Sequence, residues 1–157
     1  MIHKVQAFIF RFKNNKAQAL VFEHDLTKIH QMIRGTVEDL EDLETAVLRE
    51  VAEESGLKNL KLHEKFGEQL LQVRSGPTRS GPFQDQMHHA FLLECQKDTE
   101  DKWTHLAEGS VEENGLKFHF YWAELNDSLI EIVFDDFKVF IPKFIARVKT
   151  LSDSCLL

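Results

Sequence analysis

The chain has 157 residues, of which 43% are hydrophobic and 29% are charged, as is ordinary for a soluble globular protein. The length predicts one domain over residues 1–157, large enough to bury about 68–70% of its unfolded surface. The formal net charge of −7 argues against a protein that binds duplex nucleic acid, because binding to phosphate backbones usually shows a basic stripe.

The cysteines and the apolar runs predict a reduced, cytoplasmic protein. Cys95 and Cys155 stand far apart, without a CxxC motif or a Cys/His grouping at zinc spacing. The N-terminal segment has no small-residue cleavage site, so no signal peptide is expected. No apolar run approaches about 18 residues, so we expect no membrane-spanning segment.

The first half of the chain predicts strands around one helix. Residues 2–12 and 18–23 predict a hairpin with a turn at Asn14-Asn15. Residues 42–55 predict a helix, which Asp42 caps and Gly56 ends. Residues 60–74 alternate loosely and predict one or two further strands.

The second half predicts a loop, two more strands and a closing helix. Residues 75–86 are rich in Gly and Pro and predict a loop. Strands are expected at 87–95 and 117–125, with a long polar loop at 96–115. Asp135-Asp136 leads into an amphipathic helix over 137–151, which Pro142 either kinks or restarts. This order of elements indicates a mixed α/β sandwich.

The helix at 42–55 carries an unusual distribution of charge. On a helical wheel, Glu50, Glu53 and Glu54 continue the apolar stripe of the first two turns, whereas a solvated charge run would lie opposite that stripe. The three carboxylates repel one another near the negative end of the helix dipole. A divalent cation offsets this repulsion, since magnesium prefers hard oxygen ligands. The alternative is a solvated acidic helix end. Leu40, Leu48 and Val51 lie to another side, so we expect the helix to be covered on two faces.

Residues 35–57 also fit a longer pattern, G-x5-E-x7-R-E-(apolar)-x-E-E-x-G-(apolar). The fixed positions are Gly35, Glu41, Arg49, Glu50, Val51, Glu53, Glu54, Gly56 and Leu57. This is the pattern of the Nudix box, and the chain resembles Nudix hydrolases. The resemblance implies an α/β/α sandwich around a mixed β-sheet. It also implies hydrolysis, assisted by Mg²⁺ or by Mn²⁺, of a nucleoside diphosphate linked to another group.

The resemblance assigns roles to residues of the box. Glu50, Glu53, Glu54 and the carbonyl of Gly35 are the implied metal ligands. Glu53 is the first choice as general base or as a ligand next to the base, with a late-loop Glu as the second choice. Glu41 and Arg49 are typically paired in the family, and a guanidinium fork on a carboxylate would fix the loop against the helix and orient the carboxylates. Glu38 stands where relatives often carry an additional acid, although an ordinary exposed loop Glu is an equal alternative.

The sequence departs from the family pattern at two points near the box. Many members have Pro-Gly before the box glycine, where this chain has Ile33-Arg34. Asp39-Leu40 replaces the Pro-Gly pair often found before the second fixed residue. Neither departure touches a predicted ligand, so they bear on the conformation of the loop.

Candidates for substrate binding lie outside the box. Arg34 precedes the box glycine, and Arg74 and Arg79 flank the Gly/Pro-rich loop, where they are either anion-binding groups or surface arginines. A late-loop acid serves some relatives as a general base or an extra ligand. The candidates here are Glu108, Glu112 and Glu113. The alternative for all three is a solvated loop acid.

Two neighbouring histidines offer a weaker signal. His88 and His89 open a predicted strand, so their side chains point to opposite faces and at most one faces a site. A structural role is the more common one for such residues.

The resemblance implies a small-molecule diphosphate as the partner and does not identify it. Dimers are common among relatives, and the choice between a monomer and a homodimer stays open. Two alternatives to a hydrolase are a non-catalytic Nudix-fold module that binds nucleotides or sugar nucleotides, and an isomerase of the isopentenyl diphosphate type. Cys95 is the only plausible thiol for the isomerase.

Overall fold

The computed structural model describes residues 1–76, 78–109 and 114–155, which form eight strands and four helices. The strands are β1 (Ile2–Lys13), β2 (Lys16–His24), β3 (His30–Gln31), β4 (Ile33–Thr36), β5 (Lys61–Arg74), β6 (Phe83–Glu94), β7 (Lys102–Leu106) and β8 (Lys117–Glu124). The helices are α1 (Leu43–Ser55), α2 (Leu129–Ile132), α3 (Asp135–Lys138) and α4 (Ile141–Cys155).

The strands form one mixed sheet in the order β5-β6-β1-β2-β8-β7, with β3 beside β2 and β4 beside β1. β1 runs parallel to β6, and the other strand pairs of the described residues are antiparallel. The predicted hairpin is confirmed: Lys13 pairs with Lys16, and both loop residues, Asn14 and Asn15, have positive φ. Asparagine tolerates that conformation better than most residues, and two positive φ angles suit a tight hairpin turn.

Helices cover both faces of the sheet, which confirms the predicted α/β/α sandwich. α1 packs on one face through Ala46, Val47 and Val51, and α4 packs on the other through Phe144 and Val148. Because β1 lies inside the sheet and is covered on both faces, its apolar residues form a continuous run instead of alternating with polar ones.

The predicted helix at 42–55 is confirmed as α1, with its caps. The side chain of Asp42 accepts a hydrogen bond from the backbone N–H of Thr45 at 2.7 Å. Gly56 ends the helix at φ 78° and donates its N–H to the carbonyl of Ala52. The expectation of two covered faces was wrong, because Leu48 is 43% exposed. α1 buries a single face against the sheet.

Strand β7 lies within the segment that was predicted to be a long loop. It pairs with β8 at the edge of the sheet and buries little of its surface. Trp103 anchors the strand: its ring stacks on Phe120 at 5.2 Å between centroids, and its Nε1 donates to the carbonyl of Ser55 at 3.0 Å. One aromatic residue among polar neighbours gives no clear strand periodicity.

Three further boundaries differ from the prediction. The chain after β8 forms three helices, and Pro142 lies in the first turn of α4, so it restarts the helix. β6 begins at Phe83 within the predicted loop, and His88 and His89 therefore lie in mid-strand. The short strands β3 and β4 were not predicted. None of the described helices is long and apolar enough to cross a membrane.

Candidate active site

Arg49 ties the loop before α1 to the helix. Its Nε and Nη2 donate to the two carboxylate oxygens of Glu41 at 2.7 and 2.9 Å, and Nη2 also donates to the carbonyl of Thr36 at 2.9 Å. The backbone N–H of Glu38 donates to Glu41 as well. The hydrogen bonds from Arg49 lower the pKa of Glu41 to about 2, so this carboxyl is ionised at neutral pH. The Glu41–Arg49 contact implied by the resemblance is therefore present.

The carboxylate of Glu50 lies directly against the backbone of β4. A Cβ atom on Gly35 would stand 1.8 Å from Glu50 Cδ, so position 35 accepts no side chain while Glu50 keeps this rotamer. Arg49 Nη1 donates to Glu50 Oε1 at 2.8 Å. The glycine thus makes room for a buried carboxylate beside its own peptide groups.

The carboxylate of Glu53 lies against a second glycine, in the loop after β7. A Cβ on Gly109 would stand 2.2 Å from Glu53 Oε2, and Arg49 Nη1 lies 3.3 Å from that oxygen. The backbone N–H of Glu108 donates to the Glu53 carbonyl at 3.2 Å, which holds this loop against the end of α1. The Glu53 side chain is 24% exposed, whereas Glu50 and Glu54 are buried.

These oxygens fit a hard divalent cation in chemical type. Glu50, Glu53 and Glu54 all line one cavity with Gly35, and the atoms that these residues offer to a metal ion are carboxylate or carbonyl oxygens. Within residues 1–76, 78–109 and 114–155, no three Asp, Glu, His or Cys side chains converge on one point as a metal centre. The Glu50 and Glu53 carboxylates instead share the Arg49 guanidinium.

The cavity has a volume of about 450 Å³ and is lined by side chains of both signs. We call its carboxylates the acidic wall: Glu38, Glu50, Glu53, Glu54 and Glu108. We call three of its guanidiniums the basic wall: Arg34, Arg74 and Arg79. The cavity therefore suits an anionic ligand that binds together with a metal cation.

Asp136 at the start of α3 joins two of the three arginines of the basic wall. Its Oδ2 accepts from Arg34 Nη1 at 2.5 Å and from Arg79 Nη1 at 2.6 Å. Arg79 also lies over the ring of Phe134 at 4.4 Å and donates to Gln31 at 2.9 Å. Two guanidiniums around one carboxylate carry a net positive charge, and all three side chains are at most 15% exposed.

The structure brings most of the predicted site residues to this cavity. Arg74 also reaches it, with its guanidinium 4.2 Å from the centre of the Phe83 ring. Glu108 lines the cavity, whereas Glu112 and Glu113 lie outside the described residues. Neither His88 nor His89 is among the lining residues.

Sequence reasoning missed several residues that line the cavity or hold its arginines. Asp136 was interpreted only as part of a helix start, although two adjacent acids before an apolar helix were a usable signal. Gln31, Gln84 and Gln86 carry no motif, and only the tertiary structure places them at the cavity.

A model of the NUDIX domain family matches residues 2–144, and the chain therefore belongs to this family. It is a Nudix hydrolase, of the class that acts on diphosphate bonds, as the box predicted. A comparison with curated proteins found no match.

Solved structures share the fold at low sequence identity. A C. elegans Ap4A hydrolase binary complex is 18% identical with a TM-score of 0.68, covering 96% of this chain and 99% of that one. The E. coli dihydroneopterin triphosphate pyrophosphohydrolase is 15% identical with a TM-score of 0.66, covering 92% and 95%. The NUDIX domain of Shewanella oneidensis NrtR, complexed with ADP ribose, is 14% identical with a TM-score of 0.64, covering 96% and 88%.

Proposed function

We propose that this protein is a magnesium-dependent pyrophosphohydrolase that cleaves a nucleoside diphosphate linked to another group by attack of water on phosphorus. The observation that carries the proposal is the single cavity lined by three carboxylates of α1 and by the Arg34–Arg79 pair. A diphosphate is an anion with several oxygens, so it is stabilised by a cation held on carboxylates and by guanidinium groups together.

Glu50, Glu53, Glu54 and the Gly35 carbonyl would hold Mg²⁺, with Mn²⁺ as a substitute. When bound, the cation neutralises charge that develops on the phosphorus oxygens. The protein's own contribution is to keep these oxygens in place. Glu41 and Arg49 are positioning residues for this purpose, because the Arg49 guanidinium contacts Glu41, Glu50 and Glu53 at once.

Glu53 is the proposed general base. It is the carboxylate of the three that solvent reaches most easily, and it takes a proton from the attacking water. A new P–O bond then forms to the water oxygen, and the bond from phosphorus to the bridging oxygen breaks. Glu108 is the second candidate for this role, since it lines the same cavity next to Glu53. Glu112 and Glu113 remain candidates from the sequence.

Arg34 and Arg79 would bind phosphate oxygens, and Arg74 would contact the substrate from the edge of the Gly/Pro-rich loop. Guanidinium groups bind such oxygens in pairs of parallel hydrogen bonds. Two of the similar structures are an Ap4A hydrolase and a dihydroneopterin triphosphate pyrophosphohydrolase. Their names support a polyphosphate ester as the substrate class here.

A binding module without hydrolysis is the second candidate, and the complex of the NrtR NUDIX domain with ADP ribose favours considering it. The complete set of α1 carboxylates argues for hydrolysis, because a module that only binds has no need of all three. Cys95 does not suit the isomerase alternative, because it does not line the cavity and is only 6% exposed. Burial also raises the pKa of its thiol.

The proposal is tested by incubating the purified protein with nucleoside triphosphates, dinucleoside polyphosphates, sugar nucleotides and NAD or FAD in ¹⁸O-labelled water, with and without Mg²⁺. We expect magnesium-dependent release of a nucleoside monophosphate, with ¹⁸O in one phosphate product. Binding of a nucleotide or sugar nucleotide without release of any product would favour the binding module and contradict the proposal.

A further inference from the structure

A chain of hydrogen-bonded side chains runs from α3 to the cavity along one face of the sheet, since alternate residues of a strand share a face. Gln6 Nε2 donates to the backbone carbonyl of Asp136 at 3.1 Å and lies 2.8 Å from His88 Nδ1. His88 Nε2 lies 2.8 Å from Gln86 Oε1, and Gln86 Nε2 donates to Gln84 Oε1 at 2.8 Å. Gln84 and Gln86 line the cavity, while His88 is fully buried behind them.

The backbone carbonyl at one end fixes the direction of the whole chain, because a carbonyl only accepts hydrogen bonds. The Gln6 atom beside Asp136 is therefore the amide nitrogen, and reversing this amide would set two oxygens against each other. Gln6 Oε1 makes no hydrogen bond among the described residues. A reversed amide would leave two N–H donors in that place, which costs more than one unused acceptor.

Each further link follows from this one. Since Gln6 Nε2 donates to His88 Nδ1, that ring nitrogen accepts, and the ring proton lies on Nε2. His88 Nε2 then donates to Gln86 Oε1, and Gln86 Nε2 donates to Gln84 Oε1. The Gln84 amide therefore accepts at its oxygen, and its nitrogen has no acceptor among the described residues, so it can donate to a ligand in the cavity that Gln84 lines.

The direction persists because His88 stays neutral. Burial lowers the pKa of His88 to about 3, and the positive charges of Arg34, Lys4 and Arg79 act in the same sense. A protonated ring would donate from both nitrogens and break the link to Gln6.

The surroundings of Gln84 indicate what it binds. Val73 and Ile2 line the cavity with it, and they give this part of the lining an apolar character that the basic wall lacks. Ile2 pairs with Gln86 and Val73 pairs with Gln84 in the sheet, so the amides and the apolar side chains are immediate neighbours. A flat heterocycle with polar atoms on its edge matches such a surface better than a phosphate does.

We propose that the Gln84 amide donates a hydrogen bond to an acceptor on the heterocyclic group of the substrate, with Gln86, His88 and Gln6 as positioning residues that fix the direction of this amide. The inference rests on the proposed function, of which it specifies the group beyond the diphosphate. The acceptor is a carbonyl oxygen or an unprotonated ring nitrogen of a nucleobase. Because the Gln84 amide presents its nitrogen to the ligand, the cavity can discriminate between bases of the same shape that carry a donor or an acceptor at that point.

The first test compares two pairs of nucleoside triphosphates in the presence of Mg²⁺, UTP with CTP and ITP with ATP. Within each pair the bases have similar size, but hydrogen-bond donors and acceptors on the edge of the base are exchanged. We expect the wild type to prefer one member of at least one pair in kcat/KM. Gln84→Glu replaces the donor by an acceptor and should shift that preference by about tenfold toward the other member. An absence of preference in both pairs, or equal effects of Gln84→Glu on both members, would overturn the proposal.

The second test separates positioning from a merely structural role. His88→Gln keeps an N–H donor toward Gln86 and should retain the wild-type preference, whereas His88→Leu frees the Gln86 amide to reverse and should abolish it with little change in kcat. If His88→Leu does not fold, Gln6→Leu removes the link that fixes the His88 tautomer and gives the same readout. An unchanged preference in a folded Leu variant would contradict the assigned positioning role.

Failure of this inference is distinguishable from failure of the proposed function. If only the inference fails, the wild type still hydrolyses at least one probe with Mg²⁺, and either it shows no preference within the pairs or the variants keep its preference. If the proposed function fails, no probe is hydrolysed by the wild type. The preference is then measured by calorimetry as the ratio of dissociation constants for the same pairs, with the same expected shift in Gln84→Glu.

Discussion

The acidic wall and the basic wall of the cavity are built in different ways. Three of the five acids of the acidic wall stand on one turn of α1, where a single arginine from the same helix contacts two of them. The basic wall takes Arg34 from β4, Arg74 from the end of β5 and Arg79 from the following loop, and Asp136 of α3 joins two of them. A local motif can therefore encode the three α1 acids of the first wall, which Glu108 joins from the loop after β7, whereas the second wall exists only after the sheet and α3 have assembled.

Because of this contrast, we expect the two walls to affect different kinetic constants. Substitutions in the acidic wall should lower kcat, because its groups act on the reacting phosphorus. Substitutions in the basic wall should raise KM, because its groups hold the rest of the substrate. Each wall can therefore be tested by its own substitutions.

Gly35→Ala should lower kcat by roughly 10² or more, the usual effect of losing one preorganised charged group. The new Cβ would occupy the place of the Glu50 carboxylate, which must then leave its position. Steady-state kinetics measure the fall in kcat on a substrate identified by the incubations with Mg²⁺, and circular dichroism shows whether the variant is folded. A folded Gly35→Ala variant with wild-type kcat would contradict the assignment of Glu50.

Arg49→Lys should lower kcat by roughly 10–100-fold, as is typical when a group that orients metal ligands is lost. Lysine keeps the charge but lacks the planar fork that holds Glu41, Glu50 and Glu53 together. Arg147→Lys is the matched control, since Arg147 makes one exposed ion pair with Glu64 and should leave kcat unchanged. Equal kinetics in the two variants would show that the charge alone suffices.

Arg79→Lys should raise KM by roughly fivefold to tenfold and leave kcat within about twofold, because it weakens contacts to the substrate that persist through the reaction. The substitution removes the guanidinium plane over Phe134 and the paired contacts to Asp136 and Gln31. Michaelis–Menten analysis separates the two constants. A fall in kcat at constant KM would show that Arg79 acts on the reacting phosphorus, as the acidic wall does, and would contradict the expected difference between the two walls.

The smallest effect concerns stability in acid. Because the pKa of Glu41 falls from 4.5 to about 2 on folding, its ionised form stabilises the protein above pH 4.5, and this stabilisation is lost as the pH falls toward 2. Glu41→Gln should therefore be less stable than the wild type at pH 6, with a difference that shrinks between pH 4.5 and 2. Urea denaturation across this range measures it. A difference independent of pH would contradict the role of the Glu41 charge.

The sequence allowed prediction of those parts of the molecule whose causes are local. Asp42 and Gly56 marked the ends of α1, and the spacing of its acids placed them on one stripe. β7 was missed because its pairing depends on Trp103 contacting Phe120 and Ser55 in distant parts of the chain. Gln84 was missed for the same reason, since its neighbours at the cavity come from other strands and loops. Asp136 was missed because its partners, Arg34 and Arg79, lie in β4 and in the loop after β5.

The most direct test of the central claim, that the α1 carboxylates carry the chemistry, is the kcat of Glu53→Gln and Glu54→Gln with Mg²⁺ on the substrate found in the screen. These substitutions keep the size of each side chain and remove its charge. We predict that each lowers kcat by a factor of roughly 10² or more. Near wild-type kcat in both folded variants would contradict the claim.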